Sequence, residues 1–288
     1  MTVAFILMLL IFIALYLLSK NRYDDFIEPL DKKEYELKAL LPIGFFILDI
    51  IKYKYLTRYD RYLQNKTAEL KGGIYSAYFL QVHWANKIVL ELLMLLLLSF
   101  TGMLMGRPDE GFIFFAAVVL GAAAYASDKE LDRKVRKRRL SIQIDFPDFL
   151  NSLTLLINAG MTVSGAWSRI TIDGDRDTPL YNELRSVMND INNGKSEIAA
   201  YEDFAKRCRM PEITKFVSVV VQNFKKGNAE IVNVLKYQAK ECWEMRKHAA
   251  KRIGEEASSK VLFPMMLMFF AVVLIVVTPA VISITGSM

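Results

Sequence analysis

Gly194-Lys195-Ser196 reproduces the tail of a phosphate-binding loop, a residue pattern with a definite chemistry. In such a loop backbone N–H groups cradle the phosphates, the lysine reaches their oxygens and the hydroxyl holds Mg²⁺. The motif also requires a glycine at the position of Asn189 and a strand before it, and here the preceding pattern is helical. A helix joint accounts for it better. Asp173-Gly174-Asp175-Arg176-Asp177 resembles the first half of a calcium loop, but Thr178 and Leu184 stand where glycine and glutamate belong. A solvated acidic loop, with Asp177 or Thr178 capping the next helix, is the expectation. His83 and His248 are the only histidines, and their separation gives no two-His metal site. Cys208 and Cys242 read as buried apolar residues, neither a disulfide framework nor a zinc site. No Gly-x-Ser-x-Gly elbow and no His-Glu-x-x-His pair is present. The expectation is a non-enzyme with no catalytic residues, no metal and no cofactor.

The elements around these residues are set by apolar runs. Of 288 residues 53% are hydrophobic while 24% are charged, two figures that fit together only if the classes are segregated. Thr2 to Leu18 is just long enough to cross about 30 Å of hydrocarbon, with Lys20 and Arg22 directly behind it. It reads as a retained anchor with its N-terminus outside. Residues 39–51 are apolar but reach only about 20 Å as a helix, so they read as interfacial or docked. The tyrosines 53, 55, 59 and 62, set among Lys and Arg, suggest a collar at the headgroup surface. A membrane hairpin follows, Ile88–Met105 and 111–126 around a polar turn at 106–110. Glu91 near its start reads as a snorkelling carboxylate, with a buried contact to a partner helix as the alternative. Ala117 and Gly121, four apart, would let helix backbones approach closely. Val261–Ile284 is the last span, with Pro264 and Pro279 near its ends.

Between the spans the chain turns polar and helical. The net charge of +6 concentrates beside the apolar runs, which points to positive-inside bias and away from nucleic acid. Arg133, Arg136, Lys137, Arg138 and Arg139 form the densest basic joint. They could serve topology alone, or dock an acidic partner surface or anionic lipid. Helices are expected at 146–158, 163–171, 179–192, 197–208, 212–225 and 229–258. Asp145 would cap the first and Pro147 would sit in its first turn. Gly160, Gly194 and Gly227 each close a helix, and Thr162, Ser196 and Asn228 open the next. The sixth helix runs on into the last span.

The segment FPDFLNSLTLLINAGMTVSGAW, the later FKKGNAEIVNVLKYQA and the exit KVLFPMMLMFF resemble the type II secretion F domain over roughly residues 140–284. The residues carrying the resemblance are Phe146, Pro147, Gly160, Gly227, Lys260, Phe263 and Pro264. A single copy with four spans is most similar to the platform proteins of tight-adherence (Tad, or Flp) pili, the C-type subunit more than the B-type. The apolar runs and helix joints, in keeping with that resemblance, lead us to expect an all-α integral membrane protein with four transmembrane helices and a cytoplasmic six-helix bundle. Its parts would be an anchor at 1–19, a cytoplasmic or interfacial region at 20–86, a hairpin at 87–126, an F domain at 127–260 and a last span at 261–288. The resemblance implies the bacterial inner membrane, and coupling of a cytoplasmic hexameric ATPase to extraction and polymerisation of pilin. The partners would be that ATPase, a sister platform subunit or a second copy, pilin and membrane lipids. The five basic residues at 133 and 136–139 are the candidate partner surface. A transporter or channel would need more midplane polar residues than Glu91, Ser99 and Thr101. A membrane-tethered enzyme would need a constellation that is missing.

Overall fold

A computed structural model describes residues 2–32, 35–71, 73–106, 109–174, 176–226 and 231–285. Among them no strand occurs. The helices are α1 Thr2–Ser19, α2 Asp24–Ile27, α3 Leu41–Ile51, α4 Arg58–Lys71, α5 Ser76–Leu104, α6 Glu110–Asn158, α7 Val163–Asp173, α8 Pro179–Asn192, α9 Glu197–Cys208, α10 Pro211–Lys226 and α11 Ile231–Thr285. Two compact units divide the chain between Arg138 and Arg139, with Arg207–Arg209 grouped with the first. Three helices are long and apolar enough to cross a bilayer: α5, α6 and α11. A shorter apolar helix occupies Phe5–Ser19.

In the first unit, α5 is the spine. Helix α1 lies antiparallel along it, with Phe5 and Phe100 rings 5.5 Å apart. The apolar run at 39–51 is docked, because α3 buries Leu41, Ile43, Phe45 and Leu48 and joins a core with Ile27, Leu30, Val82 and Ala85. Gly44 makes the crossing possible: a Cβ there would lie 2.3 Å from the Ala85 carbonyl oxygen. The helix stops at Lys52, whose left-handed backbone (φ 52°) lets the Tyr53 N–H reach the Leu48 carbonyl. At the start of α4 the Thr57 hydroxyl accepts from the Asp60 N–H, and the Asp60 carboxylate accepts from the Thr57 N–H, each at 3.0 Å. This is a capping box closed by aspartate.

The second unit is built on aromatics. Trp167 is fully buried, with ring contacts to Phe149 (4.9 Å), Tyr201 (4.9 Å), Phe204 (5.3 Å) and Phe216 (6.0 Å). Its indole N–H donates to the Leu184 carbonyl at 3.3 Å, so one side chain engages residues of α6, α8, α9 and α10. The glycine punctuation is present at two of three joints. Gly160 (φ 95°) and Gly194 (φ 90°) follow α6 and α8, where a side chain would be strained. Thr162 and Ser196 then accept from Gly165 and Ala199 N–H groups to start α7 and α9. Gly227 and Asn228 lie outside the described residues.

One expected boundary is corrected. No helix begins at residue 146; Asp145 and Pro147 stand inside the 49-residue α6 and cap nothing. Proline removes one donor and crowds the preceding turn, a cost of about 3 kcal/mol in a helix interior. What offsets it is burial, since Ile142, Phe146, Phe149, Leu150 and Leu153 carry one apolar face straight through the proline.

Candidate functional site

Three carboxylates organise the polar part of the first unit. Asp60 is fully buried. It accepts from the Thr57 N–H and hydroxyl (3.0 and 2.7 Å), the Tyr53 hydroxyl (3.0 Å) and the Trp84 indole N–H (2.9 Å). Burial opposes its charge, but these donors together hold its carboxyl below the usual range. Asp128 on α6 receives Lys87 Nζ (2.9 Å), the His83 ring nitrogen (3.2 Å) and the Tyr59 hydroxyl. Burial opposes the Asp128 charge too, and is outweighed by those three contacts. Asp132, one turn on, accepts from Tyr62 (3.1 Å) and pairs with Lys66 (3.1 Å). Tyr53, Tyr59 and Tyr62 thus give their hydroxyls to protein carboxylates. The result is a polar lattice joining α4, α5 and the middle of α6.

That lattice fixes the rotation of α6 and hence of its basic residues. Arg133, Arg136 and Lys137 are exposed and fall on one face at 100° per residue, with Arg133 paired to Glu130 at 3.3 Å. Arg138 is half-buried and engaged in an interaction of its own. Arg139 is exposed, lies about 60° around the helix from Arg136, and falls beyond the division between the units. Of the five sequence candidates, three share a surface. The Asp128–His83–Lys87–Tyr59 lattice that holds them has no linear spacing to give it away, since its members come from three helices.

In the second unit, Phe146 is buried against Phe149 and Phe216 (6.1 and 5.7 Å). Asp148 holds Arg246 of α11 at 2.7 Å and Arg176 of the α7–α8 loop at 3.7 Å. Lys195 cannot serve a phosphate as it stands, because its Nζ lies 2.7 Å from Asp203 and 3.3 Å from Asp190. Lys195 and Lys206 together pull the Asp203 carboxyl down to about 2. In the acidic loop, Asp173 pairs with Arg169 (2.6 Å) and Asp177 accepts from Asn182 (3.1 Å), while Asp175 lies outside the described residues. Cys208 and Cys242 are buried, and burial followed by Glu212 and Glu241 pushes the Cys242 thiol up to about 11. Lys260, Phe263 and Pro264 are exposed on α11, which runs through them unbroken.

Residues 149–279 match the family model described as type II secretion system (T2SS), protein F. The match begins in the buried end of α6 and closes in the apolar part of α11. Comparisons with curated proteins and with solved structures gave no match. Members of the matched family are structural platform proteins of the inner membrane rather than enzymes. Residues 149–279, which include Trp167 and most of α11, therefore carry the type II secretion system protein F match, and that family is associated with inner-membrane platform proteins of secretion and pilus systems.

Proposed function

We propose that this chain is the platform subunit of a Tad-type pilus or related secretion machine, and couples a cytoplasmic ATPase to extraction and polymerisation of pilin. The observation that carries the proposal is the F-domain match, residues 149–279, on helices continuous with membrane spans at both ends. Helix α11, about 80 Å long by its rise, runs from the helical body into its own apolar stretch without a break. A displacement of the body is then transmitted along a rod.

In this proposal α1 is the fourth span. Its antiparallel packing on α5 supports an N-terminus on the same side as the α5–α6 turn, outside, with residues 20–86 and 127–260 inside. The sister B-type subunit or a second copy would cover the apolar flanks of α11, and the Arg133–Arg136–Lys137 face would meet the hexameric ATPase. The deciding experiment is purification from cross-linked membranes. Recovery of a hexameric ATPase and a related membrane subunit is expected. Their absence, with pilus assembly intact after deletion of the chain, overturns the proposal.

A further inference from the structure

A second site lies beside the Asp60 cluster, sharing Tyr53 with it, where α1 leaves the apolar layer. A cavity of about 210 Å³ opens there, with aromatic walls that include Tyr23, Phe45, Tyr53 and Tyr55 and with Asp49 and Lys52 in its lining. The walls are organised by ring contacts, Tyr23 on Phe45 at 5.8 Å and Tyr53 on Tyr55 at 4.9 Å. The backbone is bent to make it. Lys52 and Tyr55 both adopt left-handed φ, 52° and 49°. For an aromatic residue this is a strained state, of a kind that clusters at ligand clamps.

The chemistry is that of a zwitterion. Aromatic faces attract a cation within about 6 Å, more so beside a carboxylate. Asp49 supplies the carboxylate, and Lys52 together with Arg22, 3.4 Å from Asp49, supplies positive charge for an anion. The Arg22–Asp49 pair is exposed at both ends (58% and 61%), so exchanging it for a ligand's two charges costs little. Depth argues for the source. Tyr23 follows the apolar α1 by four residues, and Gln81 in the lining precedes the apolar stretch of α5 by about 10 Å of helix rise. Both place the cavity at headgroup level. Its volume falls below the range of drug-sized pockets.

We infer that this cavity binds the phosphoethanolamine headgroup of an aminophospholipid, with the ammonium between Asp49 and the tyrosine rings and the phosphate against Lys52 and Arg22. Such a lipid would pin α1 to α3 at the membrane surface. The inference depends on the placement of α1 and α5 in the bilayer and not on the platform role, so it stands or falls separately from pilus assembly.

The test uses the full chain, delipidated in detergent and titrated with dioleoyl phosphatidylethanolamine or phosphatidylglycerol, with bound lipid read by native mass spectrometry. Phosphatidylethanolamine should bind about tenfold or more tightly than phosphatidylglycerol, the scale of one charged hydrogen bond. Asp49→Asn should remove that preference and leave phosphatidylglycerol unchanged, while Lys52→Met should weaken both. Circular dichroism checks that each variant is folded. If Asp49→Asn does not fold, the wild-type preference between the two lipids decides. Equal binding of the two lipids, or an unchanged preference in folded Asp49→Asn, hands the cavity to another occupant and overturns the inference.

Discussion

Asp60 shows how much one side chain can carry when every lone pair is used. Tyr53, Thr57 and Trp84 converge on it from a loop, a helix start and the spine helix. Replacing it with alanine leaves buried donors unpaired at 1–3 kcal/mol each, so Asp60→Ala should lose about 3 kcal/mol, read as an earlier thermal unfolding in detergent. Trp167→Ala in the second unit should cost about 3–5 kcal/mol, the range for emptying a large aromatic site. Trp167→Phe should cost visibly less, because it keeps most of the ring contacts and loses the bond to Leu184. Asp203 gives a pH signature. Its folded carboxyl sits at about 2 against an ordinary 3.8, so its contribution is fully present above about pH 4 and is lost as pH falls through about 2. Unfolding measured from pH 5 to 2 should show that loss in the wild type, and Lys195→Met should flatten it.

Among the elements, α3 and α6 teach opposite lessons about what a helix needs. Helix α3 is too short to cross the membrane, and it is held by its buried apolar face and by a close backbone approach at Gly44. A methyl group there meets the Ala85 carbonyl at 2.3 Å, so Gly44→Ala should force α3 away from α5. Limited proteolysis should then cut within the α3 segment 41–51, whose Leu41, Ile43, Phe45 and Leu48 are buried in the wild type. Helix α6 persists through a proline that the sequence alone marks as a start. Local propensity favours a break at Pro147, but the apolar face from Ile142 to Leu153 is buried along its whole length, and burial prevails.

For the whole molecule, the proposed topology makes a direct labelling prediction. The native thiols are buried and one is held far from its reactive form, so they leave a low background. A cysteine at Lys195 should react with an impermeant maleimide only after permeabilisation, and a cysteine at Asp109 should react in intact cells. The reverse pattern would invert the proposed orientation. Charge reversal of Arg133, Arg136 and Lys137 separates their two roles: lost pilus output with labelling unchanged marks a partner surface, and altered labelling marks a topology signal.

The sequence by itself determined the all-helical character, the long apolar helices, the helix joints at Gly160 and Gly194 and the F-domain resemblance. Each of these is written in local periodicity, in run length, or in a backbone state that glycine adopts without strain. Only the tertiary structure decided that 39–51 docks on α5 and that α6 ignores Pro147. It alone gathered Asp60, Asp128 and Asp132 with their tyrosines, and the aromatic cavity beside Asp49. Those arrangements join residues from separate helices, and their energies come from burial and hydrogen-bond geometry across helix contacts, which no spacing along one strand of sequence encodes.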